Sequence, residues 1–92
     1  MRSPFKIFKI QGHSMEPALP AGSFVLVYTW TKNFKPRDII AFNYDDKILI
    51  KRIKNINQNN ITVTGDNIKD SLDSIRFGDI NIEKIVGKVI AH

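Results

Sequence analysis

The sequence predicts a small all-β domain built mainly from antiparallel strands. Apolar residues recur with a period of two rather than 3.6, and β-branched and aromatic residues dominate the apolar stretches. Short clusters of turn-forming residues separate these stretches. The chain has 92 residues, 42% of them hydrophobic and 25% charged, which is a globular composition. A chain of this length accommodates one domain, so residues 1–92 are expected to form a single unit.

The strands follow in order from the apolar stretches and the turns between them. Strands are predicted over residues 5–10, 24–28, 38–43, 47–53 and 61–64. Turns are predicted over residues 20–22, 35–37, 45–46 and 57–60, and the last two should close β-hairpins. Residues 16–19 could form a helical turn with Ser14 near its start. Residues 80–89 are predicted as a strand, or as one short helical turn followed by a strand.

Charge and residue usage exclude several function classes. Fourteen Lys and Arg against nine Asp and Glu give a net charge of +5, and six of the basic residues lie within residues 1–37. The basic residues form no long run and aromatics do not alternate with them, so a solvated basic face is favoured and no nucleic-acid partner is expected. The absence of cysteine excludes disulfides, a thiol nucleophile and cysteine metal sites. Two histidines cannot form a multi-histidine centre, so neither a metal nor a cofactor is expected.

The longest apolar runs are too short for a membrane-spanning helix, which needs about 20 such residues. The first residues also lack the apolar core of a secretion signal. We therefore expect a cytoplasmic protein without a transmembrane segment, while peripheral membrane association stays open. The sequence does not determine the oligomeric state.

The first candidate for chemistry is the segment 12–19, which contains Ser14. Gly12 precedes this serine by two residues, and an apolar residue and a proline turn follow it. This pattern places the serine where a strand ends, beside backbone N–H groups that could form an oxyanion hole. A serine that merely belongs to a turn is the alternative.

The second candidate is Lys51, within the most apolar strand of the chain. Strict alternation places it on the same face as Leu49 and Ile53. As a desolvated amine it would have a lowered pKa and could act as a base. A lysine that protects an edge strand from aggregation is the alternative.

The third candidate is the polar segment 65–78, which lies between two glycines. It offers hydroxyls and carboxylates that could orient another group, although a self-capped loop would have the same composition. Asp66, Asp70 and Asp73 also invite comparison with a calcium loop. The alternating ligands and closing glutamate of such a loop are absent, so no metal site is expected.

Taken together, these segments resemble the type I signal peptidase superfamily, which includes the S24 and S26 peptidases. The resemblance rests on a Ser-Met-x-Pro box at 14–17, an Ile-Lys-Arg-Ile strand at 50–53 and the Gly-Asp-Asn loop that starts at residue 65. Residues 22–27 and 37–42 also resemble the family's two connecting strands, and residues 77–89 resemble its C-terminal strand. The family implies a small coiled sheet or partly open barrel with at most one short helical turn.

The resemblance implies a role for each matching residue. Ser14 would be the nucleophile and Lys51 its general base, with Ser71 bonded to the lysine and Asp73 supporting the site. The backbone N–H of Ser14 would hold the oxyanion. Gly12 stands where some relatives carry a hydroxyl, so only backbone donors are expected there. His13 should point away from its neighbour Ser14, because adjacent strand residues face opposite sides.

The resemblance also implies how the substrate binds. An extended peptide would pair with strand edges at 8–11 and 48–50, with small residues such as alanine one and three positions before the cleaved bond. The residues expected to form the shallow pockets are Ile10, Met15, Ile48 and Leu49. The function implied is a serine endopeptidase that removes a signal peptide or short N-terminal propeptide from a protein.

Several alternatives remain at this point. In size the chain is similar to anchorless maturation proteases of nickel-type superoxide dismutase, but another propeptide would fit equally well. A self-cleaving repressor is disfavoured, because the only Ala-Gly pair, at 21–22, follows the serine. A non-catalytic β-barrel adaptor that binds peptide or nucleic acid through its basic N-terminal face is the alternative from another class. The family's Asp-Ser-Arg is Asp73-Ser74-Ile75 here, so the sequence does not decide whether this loop supports the site as it does in the family.

Overall fold

A computed structural model describes residues 3–67 and 78–92, and these residues form one antiparallel sheet of seven strands. The strands are β1 (Phe5–Lys9), β2 (Phe24–Tyr28), β3 (Ile39–Tyr44), β4 (Lys47–Asn57), β5 (Asn60–Thr64), β6 (Ile80–Asn81) and β7 (Ile85–Ala91). Their order in the sheet is β1-β2-β7-β3-β4-β5-β6. The predicted all-β, antiparallel fold is confirmed, and the sheet is open rather than closed into a barrel.

Both predicted hairpins are present. Asp45 and Asp46 connect β3 to β4 with φ angles of 52° and 63°, and positive φ at both central residues is what a type I′ turn requires. The second hairpin pairs Asn57 with Asn60. Strand β4 continues to Asn57, four residues past its predicted end, with a register shift between Ile53 and Asn55. The exposed polar residues there interrupt the apolar alternation, so the sequence pattern does not reveal the extension.

Strand β3 is covered on both faces. Ile39 and Ala41 belong to one core cluster, whereas Ile40 and Phe42 belong to a second. The first cluster also contains Ile10, Met15, Leu19, Val25 and Val27. The second is completed by Ile53, Ile61, Val63 and Ile80. Strand β3 therefore begins with a continuous apolar run, whereas burial alternates from residue to residue along β2 and β5.

The late segment follows the second of its two predicted forms, a short helical turn and then a strand. Residues Ile82–Lys84 form a 3-10 turn, and the Asn81 side chain caps it by accepting a hydrogen bond from the backbone N–H of Glu83 at 2.8 Å. Strand β7 then runs between β2 and β3. A Cβ atom at Gly87 would meet the Tyr28 carbonyl oxygen and would lie 2.6 Å from Val27 Cγ1.

Two strand edges remain open beside one another. Within the described residues, β1 pairs with β2 alone. The first part of β4, residues 47–51, pairs with β3 on one side, and β5 joins the other side only from Arg52 onward. The free edge of β1 and the free first half of β4 form the two walls of the groove described below.

Candidate active site

Ser14 lies in a tight turn that leaves the end of β1. Gly12 adopts φ of 76°, in the left-handed region that glycine enters without steric cost, and this redirects the chain out of the strand. Residues 14–18 form hydrogen-bonded turns rather than a helix, with the N–H of Leu19 donating to the carbonyl of Met15 at 2.8 Å. Met15 and Leu19 are fully buried. Met15 and Leu19 therefore hold the turn that follows Ser14 against the core.

Lys51 brings a buried amine to this turn. Its strand register places it opposite Ile40 of β3, and only 5% of the residue is exposed. The Lys51 Nζ lies 2.8 Å from Ser14 Oγ, where it forms a hydrogen bond. Two residues separated by 37 positions in the chain therefore meet as a hydroxyl and an amine in direct contact.

His13 is engaged away from the serine. Its Nδ1 lies 3.0 Å from a carboxylate oxygen of Glu16, and its side chain is 60% exposed. The hydrogen bond from His13, followed by one from the backbone N–H of Ala21, lowers the pKa of Glu16 from its ordinary value. The imidazole therefore faces the solvent side of the turn, although residues 12–18 form bends and turns, so the strand alternation behind the prediction does not apply here.

A second set of contacts holds the serine turn from the other side. The N–H of Asn67 donates to the Ser14 carbonyl at 2.7 Å, and its side-chain amide donates to the His13 carbonyl at 3.0 Å. The preceding residue, Asp66, accepts two hydrogen bonds from the Arg52 guanidinium, at 2.8 and 2.7 Å. This bidentate contact raises the pKa of Arg52. Arg52 also donates to the Arg37 carbonyl at 2.7 Å.

These contacts link the lysine strand to the serine turn, and sequence analysis did not assign them. Arg52 directly follows Lys51, and Asn67 directly follows Asp66. In each of these contacts the two residues lie far apart in the sequence, so local periodicity does not indicate that they pair. The available signal was the Gly-Asp-Asn sequence at 65–67, which marks a turn but does not identify its partners.

A groove of about 510 Å³ opens beside the Ser14–Lys51 pair. Its walls come from β1 with the residues just after it and from the first half of β4. All four residues proposed for substrate pockets line this groove: Ile10, Met15, Ile48 and Leu49. Ile10 and Met15 are buried and form its floor, whereas Ile48 is 39% exposed. Ile7 and Lys47 also line the groove, although sequence analysis did not include them.

The remaining predicted site residues have different outcomes. Ser71 and Asp73 lie outside the described residues, as do Asp70 and the departure at Ile75. Asp66, part of the calcium comparison, forms an ion pair with Arg52 instead. Among residues 3–67 and 78–92, the Ser14 backbone N–H donates to no other group, so it is available to a bound oxygen.

Comparison with known proteins gives a match at the level of the family. A protein-family model described as Peptidase S24-like matches residues 2–90. A comparison with curated proteins gave no match. In the described part of the chain, no helix has the length and apolar character needed to cross a membrane.

Proposed function

Because the chain belongs to the Peptidase S24-like family, we propose that it is a serine endopeptidase with a Ser14–Lys51 dyad. The observation that carries the proposal is the 2.8 Å contact between the serine hydroxyl and an amine that is 5% exposed. A surface lysine would be protonated at neutral pH and could not accept a proton. Burial penalises the charged form of an amine, so this position favours the neutral base that serine activation needs.

The proposed reaction proceeds by acyl transfer. Ser14 Oγ attacks the carbonyl carbon of the scissile bond while Lys51 Nζ accepts the hydroxyl proton. The Ser14 N–H stabilises the tetrahedral oxyanion. The protonated Lys51 then gives its proton to the departing amine, which leaves an ester on the serine. Water hydrolyses this ester with Lys51 again acting as base, and the free hydroxyl is restored.

The groove supports an extended protein substrate, such as the junction of a signal peptide or short N-terminal propeptide. The free edges of β1 and β4 both offer backbone N–H and C=O groups to a peptide strand. Buried Ile10 and Met15 leave only a shallow apolar floor beside Ser14. Such a floor favours small side chains near the scissile bond, since a bulky residue would displace core side chains.

The alternative is a protein that binds peptides in the same groove without cutting them. It shares the strand edges and the apolar floor, and differs only in the chemistry of the dyad. An adaptor of this kind would retain its peptide affinity when Ser14 or Lys51 is replaced. Binding and cleavage must therefore be measured on the same variants.

The test is cleavage of quenched fluorescent peptides with alanine one and three positions before the intended bond. We expect wild-type cleavage, its loss in Ser14→Ala, and a decrease in kcat/KM of about 10²- to 10⁴-fold in Lys51→Ala. Lys54→Ala is the matched control, because Lys54 lies on the same strand but is exposed, and it should keep full activity. Circular dichroism verifies folding of each variant. Peptide binding without cleavage by folded wild type would identify the adaptor.

A further inference from the structure

In the described part of the chain, the groove lining contains no aspartate or glutamate, whereas it includes Lys9 from β1 and Lys47 from β4 besides the proposed base Lys51. Lys9 and Lys47 are both exposed. The two strands that form the walls of the groove therefore each present an ammonium group to whatever lies between them.

Within residues 3–67 and 78–92, neither ammonium group forms an ion pair. Among the described residues, the ion pairs join His13 to Glu16, Arg52 to Asp66 and Lys88 to Asp38. None of them includes Lys9 or Lys47. Glu16, the acid nearest to Ser14 in the chain, is already held by His13 and by the Ala21 N–H.

The strand register sets the distance of this charge from the chemistry. Lys47, Leu49 and Lys51 occupy alternate positions of β4 and thus share one face. At about 3.3 Å per residue, Lys47 lies about 13 Å along the strand from Lys51. A peptide strand in the groove has the same rise, so its residue beside Lys47 is about four positions from the residue beside Lys51.

We propose that the groove selects peptides by an acidic side chain about four or five residues from the scissile bond, within the peptide segment that lies in the groove. This inference rests on the proposed function for the position of the bond. Lys47 lies beside this position and attracts the carboxylate, while Lys9 adds positive charge on the opposite wall; the apolar side chains of Ile48 and Leu49 line the wall between Lys47 and the dyad. Such charge complementarity determines specificity and increases the association rate.

A peptide fits these observations better than a nucleic acid. The groove offers free strand edges for backbone pairing. Among the described residues, Phe8 is the single aromatic side chain of its lining, whereas binding of single-stranded nucleic acid relies on a series of aromatic side chains for base stacking.

The test moves one glutamate through successive positions of an otherwise neutral alanine-rich peptide, with glutamine at the same positions as reference. We expect the glutamate four or five residues from the cleaved bond to raise kcat/KM about two- to fivefold, as for exposed ion pairs. The gain should appear in KM and should disappear in 1 M NaCl, where the Debye length is about 3 Å.

Lys9→Gln and Lys47→Gln should each reduce the preference for glutamate over glutamine. Lys54→Gln removes the same charge from β4 outside the groove and should leave the preference intact. An equal preference in wild type and in the Lys9→Gln, Lys47→Gln double variant would overturn the inference. So would a glutamate that has no effect at any position.

Binding separates this inference from the proposed function. Fluorescence anisotropy of the same peptides with Ser14→Ala protein reports groove preference without cleavage. If wild type does not cleave but acidic peptides bind more tightly through Lys9 and Lys47, the peptidase proposal fails and the charge preference stands. If a mixed-sequence oligonucleotide binds more tightly than the acidic peptide and displaces it, the groove is a nucleic-acid site and the inference is wrong.

Discussion

Replacing Asn67 with alanine should slow catalysis without weakening substrate binding. The Asn67 side-chain amide donates to the carbonyl of His13, the residue before the nucleophile, at 3.0 Å. Alanine removes this hydrogen bond but retains the backbone N–H that donates to the Ser14 carbonyl at 2.7 Å. The variant therefore loosens one of two contacts that fix the peptide groups on either side of Ser14.

The size of the effect follows from the exposure of the contact. A neutral hydrogen bond contributes about 0.5–1.5 kcal/mol net, and this one is exposed, so water can partly replace the lost donor. We expect the lower half of that range, about 0.5–1 kcal/mol, which corresponds to a two- to fivefold decrease in kcat at about 1.4 kcal/mol per tenfold. Asn67→Asp should decrease kcat further, because it places a carboxylate oxygen against the His13 carbonyl.

The assay is steady-state cleavage with kcat and KM determined separately, together with thermal unfolding. Asn55→Ala is the matched control, since Asn55 is exposed on β4 and outside the groove. A positioning role predicts a lower kcat at nearly constant KM, while loss of the hydrogen bond itself lowers Tm by about 2–8 °C. Unchanged kcat in both Asn67 variants, measured well below their Tm values, would refute the reasoning.

Two further predictions concern the fold and the turn. Gly87→Ala should lower the free energy of unfolding by about 1–3 kcal/mol, because the added Cβ meets the Tyr28 carbonyl oxygen and Val27 Cγ1; urea denaturation tests this, and unchanged stability would contradict it. His13→Ala should keep kcat/KM within about twofold of wild type, since proton transfer is assigned to Lys51; a large loss would implicate the imidazole instead. In the same variant, NMR titration should show the pKa of Glu16 rising toward 4.5. Because the pKa of Glu16 is lower in the folded state, its carboxylate stabilises the fold at pH values above the unfolded-state pKa. This contribution is lost as pH falls through the folded-state pKa.

The sequence predicted those parts of the fold that have a local signal. Residues typical of turns marked both hairpins, a run of β-forming apolar residues marked β2, and apolar alternation marked β5. The end of β4 had no such signal, because its last residues pair with β5 while Lys54, Asn55 and Asn57 are exposed and Ile56 alone packs against the core. The buried face of a strand leaves a pattern in the sequence, whereas backbone pairing at an exposed edge does not.

The candidate site shows the same division. Ser14 and Lys51 could be identified because each belongs to a motif that resembles a known family. The roles of Arg52, Asp66 and Asn67 could not be read from the sequence. Arg52 forms an ion pair with Asp66, and Asn67 donates to two backbone carbonyls. Neither kind of contact depends on a local pattern of apolar residues.

The position of Lys51 in β4 explains why these features occur together. It is the last residue of the strand before β5 joins, because pairing with β5 begins at Arg52. On one side of this junction the strand has a free edge that a peptide can occupy. On the other side it is fixed by β5 and by the Arg52–Asp66 ion pair. Asn67, which follows Asp66, donates to the carbonyls of His13 and Ser14. One strand therefore combines an open edge, which the proposed peptide substrate would occupy, with a lysine that is hydrogen-bonded to Ser14.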